Sequence, residues 1–127
     1  RWPGVTTFGS QSSSLVQNLD YAPTILEMAG ATVPVDMQGR SLAPILLGKA
    51  PPDWRDSIYY HYYAYPSVHQ VARHYGIRTE RDKLIWFYQF DEWEFYDLNR
   101  DPDERTNLYG DPKSAKRVTE LNAERLA

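Results

Sequence analysis

Cysteine is absent from this 127-residue sequence, which excludes disulfide staples, thiolate metal centres and a cysteine nucleophile while leaving the compartment open. No apolar run approaches the roughly 18 to 20 residues needed to cross a bilayer, and no charged start followed by an apolar stretch marks a leader peptide. Positive charge is not in excess either. Fourteen Lys and Arg against 17 Asp and Glu give a formal charge of −3, which argues against nucleic-acid binding through a broad basic face. Neither a membrane nor a nucleic acid is therefore expected as a partner. Low-complexity tracts and internal repeats are also lacking, so nothing points to disorder. The chain opens at Arg1-Trp2-Pro3-Gly4 without an initiator methionine, and we expect it to be cut from something longer.

Aromatic residues are abundant. Ten Tyr, four Trp and four Phe concentrate between Trp54 and Tyr96, a density found in β-rich cores and in carbohydrate-facing surfaces alike. The length suits one core that buries roughly 65 to 70% of the unfolded surface.

Along the chain, residues 1–14 read as loop. Leu15, Leu19, Ala22, Ile25, Leu26 and Ala29 recur at helical steps and Gly30 marks a stop. Pro23 interrupts the pattern, so a short turn through Asn18 and Asp20 is expected, with the main helix starting near Ala22 or Pro23. Ser41 is a candidate N-cap for a short helix carrying Leu42, Ile45, Leu46 and Leu47. After a linker stiffened by Pro51-Pro52, the period becomes extended. Residues 57–64, 71–79, 83–88 and 93–98 are predicted strands, with Glu80-Arg81-Asp82 as a hairpin loop. From Pro112 onward the chain reads as an amphipathic helix capped by Asp111, its apolar face made of Val118, Leu121 and Leu126. The fold class that results is α+β: a four-stranded antiparallel sheet with the C-terminal helix packed on it, plus an N-terminal helical segment. The expected division is 1–50 and 51–127.

Several stretches, in order, resemble the C-terminal part of type I, formylglycine-dependent sulfatases, whose fold is related to that of alkaline phosphatase. Leu15-Val16-Gln17-Asn18-Leu19-Asp20-Tyr21-Ala22-Pro23-Thr24-Ile25-Leu26 resembles the family's L-V-x-N-x-D-x-x-P-T-x-L helix, and Met37-Gln38-Gly39-Arg40-Ser41-Leu42 its x-x-G-x-S-L segment. Ile77 to Ile85 resembles the x-R-T-x-R-Y-K-L-I hairpin, with Asp82 where tyrosine is usual. Phe95 to Glu104, followed by Asn107-Leu108, resembles L-Y-D-L-x-x-D-P-x-E-x-x-N-L. A narrower likeness, carried by Tyr60-His61-Tyr62-Tyr63-Ala64-Tyr65-Pro66, His69 and Arg73-His74-Tyr75-Gly76, is to bacterial N-acetylglucosamine-6-sulfatases acting on heparan- or mucin-type glycans.

The resemblance implies a parent enzyme that attacks sulfate esters with a formylglycine held by calcium, both in an N-terminal part outside this chain. The C/S-x-P/A-x-R motif that yields formylglycine does not occur here, and no paired aspartates suggest a calcium cage. This piece is thus expected to carry no catalytic residue, to be inactive alone, and to shape the pocket for a sulfated glycan beside the catalytic domain. A periplasmic or secreted location is implied by the family.

The candidate substrate-binding residues are His69, Arg73, His74 and Tyr65. Two histidines flanking an arginine supply hydrogen-bond donors for sugar hydroxyls or a sulfate oxygen, and Tyr65 stands where Pro66 begins a loop. His61 is assigned to strand bridging. The run Tyr59, Tyr60, Tyr62, Tyr63, with alternation placing its members on both faces, is read mainly as core. Arg78, Arg81 and Lys83 are expected to pair with acids between Asp91 and Asp103. The acidic loop from Asp97 to Asn107 is read as Asx turns, since it lacks the Gly and Glu of an EF-hand. Two other functions stay open: a phosphodiesterase or phosphonate hydrolase of the same superfamily, and a free-standing carbohydrate-binding module built on the tyrosine-rich sheet.

Overall fold

The computed structural model describes residues 2–126. The chain divides into two compact units, 1–55 and 56–127.

In the first unit a 3-10 turn at Asn18–Asp20 leads directly into helix α1, Tyr21–Met28, with Pro23 in its first turn, where a missing N–H costs nothing. Asp20 organises this unit. Fully buried, its carboxylate accepts hydrogen bonds from the amides of Gln17 (2.7 Å) and Arg40 (2.9 Å) and from both terminal nitrogens of Arg55 (2.5 and 2.8 Å). Burial alone would raise its pKa. The Arg55 guanidinium and the two amides outweigh that and hold the carboxyl below its ordinary value. Thr24 extends the junction, donating to the Asp20 carbonyl and accepting from the Leu42 amide. Gly39 passes so close to the Leu19 backbone that a Cβ there would overlap the Leu19 carbonyl group. Helix α2, Ala43–Leu46, follows, and Ser41 Oγ accepts from the Ala43 amide at 3.2 Å, so Ser41 supplies the cap from one residue further out than expected.

The second unit is the predicted sheet. Strands β1 (Ser57–Tyr62), β2 (His74–Thr79), β3 (Asp82–Phe87) and β4 (Glu92–Asp97) lie in sequence order, each antiparallel to the next. Strand β1 ends at Tyr62 rather than at 64 and β2 begins at His74 rather than at 71, because the β1–β2 ladder stops at the Tyr62–His74 pair. Asp82 belongs to β3 rather than to the hairpin loop. Thr79 Oγ1 accepts from the Arg81 and Asp82 amides, closing a turn of only Glu80 and Arg81 without the glycine or asparagine that such turns usually use.

Alternation along the strands sorts the two faces. Ile77, Leu84 and Phe95, opposite one another in register, meet Leu121 of helix α3 (Ala115–Leu126), with Trp93, Leu108 and Val118 packed around them. On the other face Ile85, Tyr96 and Leu98 form a second cluster beside Phe87. Leu126, expected on the buried face of α3, is 70% exposed. It follows Leu121 by five residues, about 140° around the helix. The position four on is Arg125, whose guanidinium lies 4.5 Å from the Tyr75 ring centroid and about 6 Å from Trp86 and Trp93, so a snorkelling arginine covers the rings.

Asp111 caps the turn before α3 by accepting from the Lys113 amide. The acidic loop is built from Asx turns: the Asp97 carboxylate accepts from Asn99, Asp101 from Thr106, and Asn107 Oδ1 from Phe95 and Tyr109. Arg81 pairs with Asp97 at 3.0 Å. Lys83 and Arg78 instead reach Glu104, one residue beyond the expected acids, on the opposite face of the sheet. Asp82, buried at the start of β3, pairs with Arg117 of α3 at 2.7 Å and so ties helix to sheet.

Candidate substrate-recognition site

The loop from Tyr63 to Arg73, joining β1 to β2, gathers three of the four candidate residues. Tyr65 and Pro66 are joined by a cis peptide bond. The Arg73 guanidinium reaches back eight residues, its Nη2 donating to the Tyr65 carbonyl at 2.6 Å. Its backbone amide donates to Gln89 Oε1 at 2.9 Å, and its Nε is buried without a partner among the described residues. Arg73 therefore braces the loop with one of its five guanidinium N–H donors. Tyr65 takes part through its carbonyl.

His74 sits where the loop becomes β2. Its ring stacks on Tyr62, its cross-strand partner, at a centroid distance of 5.5 Å and 19° between planes. Phe87 lies 5.0 Å away and the edge of Tyr60 5.9 Å away. Nδ1 is 2.8 Å from the Ala72 carbonyl oxygen. The Tyr60 ring can lie over the strand because residue 76 is glycine, where a Cβ would overlap both the Leu84 carbonyl oxygen and the Tyr60 ring. The Tyr60 hydroxyl is buried with no partner among the described residues. Burial, then the charges of Glu104 and Glu94, push its pKa well up, so it stays protonated.

His69 is apart from this group. It lies exposed in the turn at the loop's tip, where Gln70 takes a positive φ of 50° and its amide donates to the Ser67 carbonyl. His61 faces the other side of the sheet, stacked on Tyr63 at 3.8 Å and 3.3 Å from the Tyr88 hydroxyl. Burial, with a contribution from His74, lowers its pKa, and it serves to bridge aromatic rings there.

Sequence reading named neither Gln89 nor the Tyr60, Tyr62 and Phe87 cage as part of this site. Strand alternation could have placed Tyr62 beside His74. Nothing in the sequence marks Gln89, whose part depends on the β3–β4 turn lying next to the β1–β2 loop.

On the helix side, Trp86, Trp93 and Tyr109 stack nearly parallel, with 8° between planes and centroids 5.2 and 5.4 Å apart. Rings that cover one another's faces offer edges to a ligand, whereas sugars stack on open faces. This row is a cross-strand packing device. Among the described residues no group of three or more Asp, Glu or His could hold a metal ion, and Asp20, Asp82 and Asp97 are each engaged by arginine. These residues do not fit calcium, and no chemical step is assigned to it. No helix is long and apolar enough to cross a membrane among the described residues.

A sequential four-stranded antiparallel meander with a helix on one face is the fold of the C-terminal region of sulfatases. Residues 1–127 match the family described as N-sulphoglucosamine sulphohydrolase, C-terminal, and the chain belongs to it. It is 52% identical over 124 residues to the N-acetylglucosamine-6-O-sulfatase of Bacteroides thetaiotaomicron, a match that covers 95% of this chain and 22% of that protein. An arylsulfatase of Clostridium perfringens is 32% identical over 113 residues, again 89% of this chain and 22% of the relative. A solved structure of an enzyme in complex with its substrate D-glucosamine-2-N,6-O-disulfate superposes with a TM-score of 0.91 at 49% identity, covering 98% of this chain and 26% of the other. The chain thus spans about a fifth of the length of the curated relatives it matches.

Proposed function

We propose that the protein containing this chain hydrolyses sulfate esters of glycans, its substrate a 6-O-sulfated N-acetylglucosamine or closely related glucosamine, and that this region forms one wall of the pocket. The observation that carries the reading is the 52% identity, over 95% of the chain, to an enzyme named for that substrate. In this reading the formylglycine and its calcium belong to the part of the protein outside this chain, which also completes the pocket. A periplasmic or secreted location fits a glycan substrate. His74 contacts the sugar from its aromatic cage. Arg73 offers guanidinium N–H groups that the loop leaves free, Tyr65 sets the loop, and His69 reaches a more distant part of the glycan from the exposed tip.

Contacts to a remote part of the substrate lower KM when made equally in ground and transition states. His74→Ala or His69→Ala in the full-length protein should therefore cut kcat/KM on the sulfated sugar by ~10 to 100-fold, the equivalent of one hydrogen bond to a charged or buried partner. A small aryl sulfate that does not extend to these residues should be hydrolysed nearly as before. Equal losses on both substrates, with thermal melts unchanged, would assign the residues to chemistry and defeat the reading, as would no loss on either.

A further inference from the structure

The sequence pattern alone suggests a donor at His74. Its surroundings support the opposite role. A carbonyl oxygen can only accept, so the 2.8 Å approach of His74 Nδ1 to the Ala72 carbonyl requires the proton of the neutral ring to sit on Nδ1. In a neutral imidazole the other nitrogen then carries a lone pair and no hydrogen. Turning the ring over would bring a carbon to the Ala72 carbonyl and forfeit that bond. The cage opposes such a turn, because Tyr62 is stacked on the ring, Phe87 lies against it and Tyr60 meets it edge-on. Nε2 has no hydrogen-bond partner among the described residues, and it is not among the buried polar atoms left unsatisfied, which are Tyr60 OH and Arg73 Nε.

We infer that His74 Nε2 is a fixed hydrogen-bond acceptor that reads an unmodified hydroxyl of the substrate sugar and rejects a sulfate at that position. This rests on the proposed role of His74 in substrate binding and adds a direction to it. A free hydroxyl donates its proton to the lone pair. A sulfate ester at the same carbon has no proton to give and brings negative charge against the lone pair, so a sugar sulfated at that hydroxyl is disfavoured. Discrimination of this kind is strong because the group left unpaired lies in a partly apolar cage.

The full-length enzyme labelled with 15N-histidine is examined by long-range proton-nitrogen correlation at pH 8, with His74→Ala assigning the resonance. A neutral His74 ring protonated on Nδ1 is expected. A proton on Nε2, or on both nitrogens, overturns the inference. In parallel, 6-O-sulfated N-acetylglucosamine analogues are assayed in which each remaining ring hydroxyl is replaced in turn by hydrogen or by fluorine. At one position both replacements should lower kcat/KM by ~10-fold or more, equally, and His74→Ala should erase that penalty. Fluorine can accept but not donate, so retention of activity by the fluoro sugar and not the deoxy sugar would make His74 a donor and overturn the inference. If Nδ1 is protonated but His74→Ala leaves the sulfated sugar unaffected, the binding role itself fails, and the inference with it. If His74→Ala weakens the sulfated sugar while the proton sits on Nε2, the binding role stands and only the inference fails.

Discussion

Leu121→Ala and Leu126→Ala, made separately, test the assignment of the α3 face. Leu121 has no exposed surface and touches the Ile77, Leu84 and Phe95 cluster from the helix side. Removing the isopropyl end of its side chain takes three carbons out of a site walled by a sheet that cannot easily collapse, which places the cost at about 3 to 4 kcal/mol in the range known for buried leucines. A unit of this size is stable by only ~4 to 11 kcal/mol, so the variant should lose a large part of its stability. Its midpoint should fall by roughly 12 °C or more, taking ~4 to 8 °C per kcal/mol. Leu126 is 70% exposed, and its truncation should change stability by no more than about 0.5 kcal/mol. Tryptophan fluorescence during urea unfolding is the assay, since Trp86 and Trp93 lie beneath Arg125 of the same helix. Equal effects of the two substitutions, or a loss at Leu121 below about 1 kcal/mol, would refute the packing described for α3.

The Asp20 carboxyl has a folded pKa below its unfolded value, so its stabilisation is fully present above about pH 4 and is lost as pH falls through the folded value. The difference in melting temperature between the full-length protein and Asp20→Asn should accordingly be greatest near neutrality and shrink toward pH 2, and a difference independent of pH would count against the ion pair with Arg55. Gly39→Ala must displace the Leu19 backbone, with an expected loss of ~1 to 3 kcal/mol, read as a lowered melting temperature, whereas Gly110→Ala, which meets nothing within 4 Å, should be nearly silent.

The alternation of β-branched and aromatic residues after Trp54, and the turn residues between them, determined the four strands and their antiparallel order, because neighbouring extended segments joined by short breaks have little choice but to pair in sequence. The same local chemistry placed Pro23 in the first turn of α1, which begins at Tyr21, and set the Asx turns after Asp97. Within the candidate site the loop itself was legible, since Pro66 and the histidine-arginine cluster break the strand pattern. What local pattern could not decide is which side chains meet across that loop. The Arg73 bridge to the Tyr65 carbonyl, the Gln89 brace from a different hairpin and the exclusion of His69 all depend on how the two turns at one end of the sheet are placed side by side. At α3 the helical phase is itself local, since Arg125 follows Leu121 by four residues and Leu126 by five, whereas the rings that the Arg125 guanidinium covers come from three strands and meet only in the folded sheet. The direction of the His74 hydrogen bond was hidden for a like reason, because a histidine's tautomer is set by the acceptor beside it, and that acceptor is fixed only once the backbone has turned into β2.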